Sequence, residues 1–314
     1  MSQEESRQYV LKTENLTKIY GTHRAVNSVS MHVRKGDIYG FIGKNGAGKS
    51  TFMKMVAGLA APNEGQIELF GSTDIEKQRM RIGSLIETPG LYHGMTAAEN
   101  LEVYRRAYGI TNRKIVGETL DLIGLGDTDK KKVGKFSMGM KQRLGIAIAL
   151  LRSPDFLILD EPINGLDPMG IHEIREFLTA LNRDKNVTMI ISSHILGELS
   201  KIATTYGIIR DGELVEEFNA NELAVRCRRC QKLVVNNVEH AVNVLEEKLQ
   251  IKEFDVPEKS VIRIFEHLED SAKINQSLSM AGIEIQESYL AGQDLEEYFM
   301  ELIGNGRPAD AAQR

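Results

Sequence analysis

Apolar and polar residues alternate from Ala25 to Val33, the two-residue period of a half-buried strand. Tyr9 to Glu14 reads as a strand before it. Asp37-Ile38-Tyr39-Gly40-Phe41-Ile42 reads as a short buried strand, the third of the chain, and Phe52 to Leu59 as an apolar helix. Gln66 to Phe70, Ile82 to Ile86, Phe156 to Leu159 and Val187 to Ser192 are further short runs of strand character. Tyr206 to Glu216 reads as a hairpin turned at Asp211-Gly212.

A block of helices interrupts the strands. Thr96-Ala97-Ala98-Glu99 is a capping box that opens a helix to about Gly109. A second helix runs from about Asn112 to Ile123. Ser137 caps a third, Met138 to Arg152, which stops before Pro154. This pattern predicts an α/β core with a helical subdomain inserted at about 88–153. Asp167 and Pro168 open one more helix, to about Leu181.

Composition shifts at Asn219. Residues 219–231 are polar and basic and read as a linker between a domain at 1–218 and one at 232–314. Strands at Leu233–Asn237, Ile251–Val256, Val261–Phe265 and Ile283–Leu290 enclose helices reaching Gln250 and spanning Ser271–Ala281. That β-α-β-β-α-β order predicts a small α+β, ferredoxin-like domain. Asp294 to Ile303 reads as a last helix, with a disordered tail from Gly304.

The chain has 314 residues, 26% charged and 42% apolar, an ordinary globular balance. Its net charge of −5 argues against a general nucleic-acid surface. No apolar run approaches the roughly 18 residues of a membrane span, and Met1 to Gln8 is too polar for a signal-peptide core. The expectation is a cytoplasmic protein that reaches a membrane only through a partner. Cys227 and Cys230 lack a second ligand pair for zinc and read as reduced thiols; Lys130-Lys131-Lys132 reads as a solvated loop.

The chemistry centres on Gly43-Lys44-Asn45-Gly46-Ala47-Gly48-Lys49-Ser50-Thr51, which fits G-x-x-x-x-G-K-[ST] between a strand and a helix. The glycines let backbone amides point at an anion, and the helix adds the positive end of its dipole. Lys49 supplies charge for the outer phosphates and Ser50 a hydroxyl for Mg²⁺. Phe156 to Pro162 is an apolar strand ending in Asp160 and Glu161, at the sheet edge where ligands bind. Asp160 can hold the Mg²⁺ shell and Glu161 can polarise a water. A lone His is structural by default. His194, at the end of a buried strand facing the same edge, reads as functional. Tyr20 is a candidate for stacking on a base.

Together these residues resemble the ATP-binding subunit of ABC transporters, over roughly Tyr9 to Glu217. Tyr20 matches the adenine-stacking aromatic and Gly43 to Thr51 the first nucleotide motif. Phe136-Ser137-Met138-Gly139-Met140 lies where the signature lies, Gly165-Leu166-Asp167 matches the loop crossing the dimer interface, and His194 the switch histidine. Two departures stand out. Only Ser137 and Gly139 of the signature are kept, since Phe136, Met138 and Met140 replace the usual leucine, a glycine and the glutamine. Glu87 stands where a glutamine is usual. The resemblance implies an ABC-type P-loop NTPase core using ATP and Mg²⁺. Glu161, His194 and Glu87 would be catalytic, and Ser50, Asp160 and Glu87 would hold the metal. Ser137, Gly139 and Asp167 would contact ATP across a head-to-tail dimer of two copies. The partner would be an integral-membrane permease, with this chain on the inner face of the membrane.

Leu85-Ile86-Glu87-Thr88-Pro89-Gly90-Leu91-Tyr92, the Ser-x-Gly-Met-Lys-Gln-Arg signature and the ending Asp294-Leu295-Glu296-Glu297-Tyr298-Phe299 look like the bacitracin and lantibiotic export group. The alternatives are an exporter ATPase for a small drug or a lipid, and a soluble ABC ATPase. The single nucleotide motif and the missing long heptads count against the soluble form.

Overall fold

The computed structural model describes residues 9–128, 130–194, 196–292 and 298–299. The chain divides into two compact units, the first reaching Ala220 and the second beginning at Asn221.

The first unit opens with β1 (Tyr9–Tyr20), β2 (His23–Val29), β3 (His32–Arg34) and β4 (Ile38–Ile42). Then come α1 (Lys49–Ala57), β5 (Glu64–Leu69), α2 (Ile75–Arg79) and β6 (Ile82–Leu85). Three helices follow, α3 (Ala97–Ala107), α4 (Lys114–Leu122) and α5 (Met138–Leu150). The unit closes with β7 (Phe156–Asp160), α6 (Pro168–Lys185), β8 (Thr188–Ser193), α7 (Leu196–Leu199), β9 (Thr205–Arg210) and β10 (Glu213–Asn219).

One sheet has the order β10-β9-β4-β8-β7-β6. Its strands from β9 to β6 run parallel, and β10 returns antiparallel through Asp211 and Gly212, both at positive φ. The ends of β4, β8, β7 and β6 therefore share one edge, although their residues are far apart in sequence. Every residue of β4, β7 and β8 is buried. Such continuous burial needs the near-unbroken apolar runs seen in the sequence. A second, antiparallel sheet is built on β1, which pairs with β2, β3 and β5. Phe41 and Phe52 pack at 5.3 Å between ring centres and fix α1 against β4.

The three helices between β6 and β7 share an apolar cluster that includes Leu101, Leu120, Ile123, Phe136, Leu144 and Ile148. The capping box at Thr96 is formed: the Glu99 amide donates to Oγ1 of Thr96 at 3.2 Å, and the Thr96 amide donates to Oε2 of Glu99 at 2.7 Å.

The second unit holds most of α8 (Ala220–Cys227), then β11 (Cys230–Val235), α9 (Val238–Asn243), β12 (Phe254–Glu258), β13 (Val261–Ile264), α10 (Ser271–Met280) and β14 (Ile285–Ala291). Its antiparallel sheet has the order β12-β13-β11-β14. Leu233, Val235, Ile262, Ile264, Ile274 and Leu278 form its core.

The structure corrects the sequence reading at several places. The glycine loop follows the fourth strand, not the third, because the run Ala25–Val33 breaks into β2 and β3. Ser28 takes φ +51°, and the buried Thr13 hydroxyl bridges the break by donating to Val29 O at 3.0 Å and accepting from Met31 N at 2.9 Å. The expected linker 219–231 carries α8, whose Leu223 is buried, and Cys230 already belongs to β11. Its basic residues mask that apolar anchor. The helix expected to reach Gln250 widens into a π turn at Val244–Lys248, which buries Val244 and Leu245 side by side. The helix expected over Asp294–Ile303 and the tail lie outside the described residues, Tyr298 and Phe299 excepted.

Candidate nucleotide site

The loop between β4 and α1 is shaped by glycine where no other residue fits. A Cβ on Gly48, at φ +108°, would stand 2.4 Å from the carbonyl oxygen of Ala25, and one on Gly43 would stand 2.4 Å from that of Ile209. Lys49 opens α1, whose first turn has no acidic residue to oppose an incoming anion. Lys49 is 5% exposed, and its ammonium donates to Gly43 O at 2.6 Å and Lys44 O at 3.2 Å. Burial lowers its pKa, and the charges of Glu161 and Asp160 oppose that shift.

Asp160 ends β7, opposite Ser192 of β8 in the ladder. The Ser192 hydroxyl donates to Oδ1 of Asp160 at 2.6 Å and accepts the amide of Glu161 at 2.9 Å. Glu161 has φ +49°. Its Oε2 lies 2.7 Å from Nδ1 of His194, while its Oε1 is buried without a hydrogen bond, 3.7 Å from the Lys49 ammonium.

Tyr20, Asn45, Lys49, Ser50, Asp160 and Glu161 are among the residues lining a cleft of about 340 Å³. Tyr20 stands at its rim, half exposed, with the Lys18 ammonium 5.2 Å from its ring centre. Gly46, Gly48 and Thr51 also line the cleft, whereas Ala47 is buried in the core beneath the loop. A buried ammonium, a free helix N-terminus and the loop amides suit a polyphosphate. Among the described residues no group of three His, Cys, Asp or Glu side chains could hold a metal by itself. Ser50 and Asp160 both line this cleft, and their hydroxyl and carboxylate are oxygen donors of the kind a hydrated Mg²⁺ takes.

The other expected site residues lie elsewhere. Glu87, at φ +65°, does not line this cleft, and its Oε1 meets the Lys54 ammonium at 2.5 Å. Ser137, Gly139 and Asp167 line a separate concavity of about 510 Å³, with Met138, Leu166 and Met169. There Ser137 caps α5 by accepting the Met140 amide, and Asp167 caps α6 by accepting the Gly170 amide. Among the described residues none lines both concavities. Sequence reasoning missed Ser192 and Lys54. Neither carries a signal until strand register and helix face are known.

The family pattern described as "ABC transporter" matches residues 26–164. The bacitracin transport ATP-binding protein BcrA of Bacillus licheniformis is 42% identical over 300 residues, 95% of this chain and 98% of that protein. The lantibiotic transport ATP-binding protein SrtF of Streptococcus pyogenes is 44% identical over 215 residues, 68% of this chain and 93% of its own. Among solved structures, the dimeric bacterial ABC transporter cassette MJ0796 superposes with a TM-score of 0.61 at 26% identity, covering 67% of this chain and 98% of that one. With an ABC ATPase fold, a glycine loop on the shared sheet edge and relatives matched along nearly their whole length, the chain belongs to the ABC transporter family, among its ATP-binding proteins.

Proposed function

We propose that this chain is the ATP-hydrolysing subunit of an exporter for a bacitracin- or lantibiotic-type peptide, and that it works as a head-to-tail pair. The separation of the two concavities carries the reading. Lys49 and Glu161 belong to one and Ser137 and Gly139 to the other, so one chain offers only half of each binding surface. A second copy supplies the missing half, and ATP bound from both sides holds the pair closed. Mg²⁺, held through Ser50 and Asp160, neutralises phosphate charge. Glu161 orients the attacking water with one carboxylate oxygen while His194 fixes the other. Loss of the terminal phosphate releases the pair, a switch driven by removal of a linking charge.

The cargo class rests on the likeness to BcrA, which covers 95% of this chain and so takes in most of the second unit. The β12-β13-β11-β14 order supports a ferredoxin-like accessory domain, and the shared core of α3, α4 and α5 supports an inserted helical subdomain near 88–153. No helix among the described residues is long and apolar enough to cross a membrane. The export reading therefore assigns the crossing to a separate permease, with this chain on its cytoplasmic face. Glu87 would couple the site to that permease.

The test is co-purification from detergent-solubilised membranes, with a tag on this chain carrying Glu161→Gln. Recovery of a multi-span membrane protein is expected. Recovery of ribosomes, nucleic acid or no partner would remove the transport reading.

A further inference from the structure

The replacement of the usual glutamine by Glu87 puts a carboxylate in the loop after β6, outside the cleft but at the same sheet edge as Asp160 and Glu161, since Leu85 pairs with Leu159. The structure also shows what offsets it. Lys54 stands one turn after Ser50 on α1, on the face that carries Ser50 and Thr51. Its ammonium holds Oε1 of Glu87 at 2.5 Å. Glu87 reaches it from the loop after β6, in the left-handed region at φ +65°. The hydrogen bond to Glu87 raises the pKa of Lys54.

We infer that Lys54 is the positioning residue for Glu87, neutralising its carboxylate and holding it beside the Ser50 face of α1 until a divalent cation takes the place of the ammonium. The inference rests on the ATP-site reading. Without Lys54, the free carboxylate repels a triphosphate that arrives without metal. With metal present, the same carboxylate has a cation to meet and the penalty shrinks. Both side chains are partly exposed, 31% and 63%, so the pair is weak enough to open and close. A buried pair would resist that exchange.

The test is ATP binding to the full chain in EDTA and again in excess MgCl₂. It compares the natural chain, Lys54→Met, Lys54→Arg, Glu87→Gln and the Lys54→Met/Glu87→Gln double variant. Lys54→Met is expected to weaken binding in EDTA by about two- to fivefold, the span set by an exposed ion pair. The loss should be largely absent in MgCl₂, absent when residue 87 is glutamine, and rescued by Lys54→Arg. An equal loss with glutamate and glutamine at 87 would overturn the inference, because Lys54 would then act on the nucleotide directly. No loss in either background would overturn it too. Lys54→Gln provides a second neutral variant should Lys54→Met fold poorly. Failure of the natural chain to bind ATP under any condition would instead sink the ATP-site reading itself.

Discussion

His194 meets Glu161 at 2.7 Å, Nδ1 to Oε2, and leaves the other oxygen of that carboxylate buried without a hydrogen bond. One oxygen is thus fixed and the other is available to accept a proton or orient a water. With the Lys49 ammonium 3.7 Å away, outside hydrogen-bond reach, that acceptor still carries part of a desolvation cost of about 1–3 kcal/mol. A water held between Glu161 and the terminal phosphate would recover it.

Glu161→Gln removes the basic oxygen while keeping the shape of the side chain. The expected outcome is ATP affinity within about threefold of the natural chain and turnover lowered by roughly 10²–10⁴-fold, the usual contribution of a general base. Steady-state hydrolysis and equilibrium ATP binding, measured on the same preparation, check it. Unchanged turnover would remove Glu161 from that role.

Ser192→Ala cuts the link between Asp160 and the Glu161 amide. Ser192 is fully buried, so both former partners lose a hydrogen bond with no water to replace it. The expected cost is about 1–3 kcal/mol of stability, read as a lower thermal midpoint. Turnover should fall more than ATP affinity, because the phosphate loop is untouched. Native stability together with native turnover would show that the bridge is dispensable.

Binding should also depend on alkaline pH. Burial lowers the pKa of Lys49 below the ordinary 10.5. The protonated form is the one that attracts phosphate, so ATP affinity is present at neutral pH and declines as pH rises through the lowered value. The decline should begin before pH 10.5, and a titration of ATP affinity from neutral to alkaline pH reads it. Affinity flat to that point would contradict the argument. Lys49→Ala is expected to lose binding at every pH.

The placement of the site was largely legible because its residues end apolar runs. Gly43 follows Ile42, Asp160 closes Phe156–Leu159, and His194 follows a strand, so each points to a strand terminus before any fold is known. Parallel pairing then puts those termini on one edge. What stayed hidden depends on register and on helix face. Ser192 is an ordinary strand-end serine until the ladder sets it opposite Asp160. Lys54 is an ordinary surface lysine until Glu87 is found across from it. The break between β2 and β3, at Ser30 and Met31, was masked by an alternation that continues through it, and α8 by the charges around Leu223.

The account stands most directly on the second copy that completes the site. Sedimentation equilibrium of the full chain carrying Glu161→Gln, with and without saturating ATP, measures it. The expected result is the mass of one chain without nucleotide and of two chains with ATP. The mass of one chain under ATP concentrations shown to saturate the site would contradict the shared-site account.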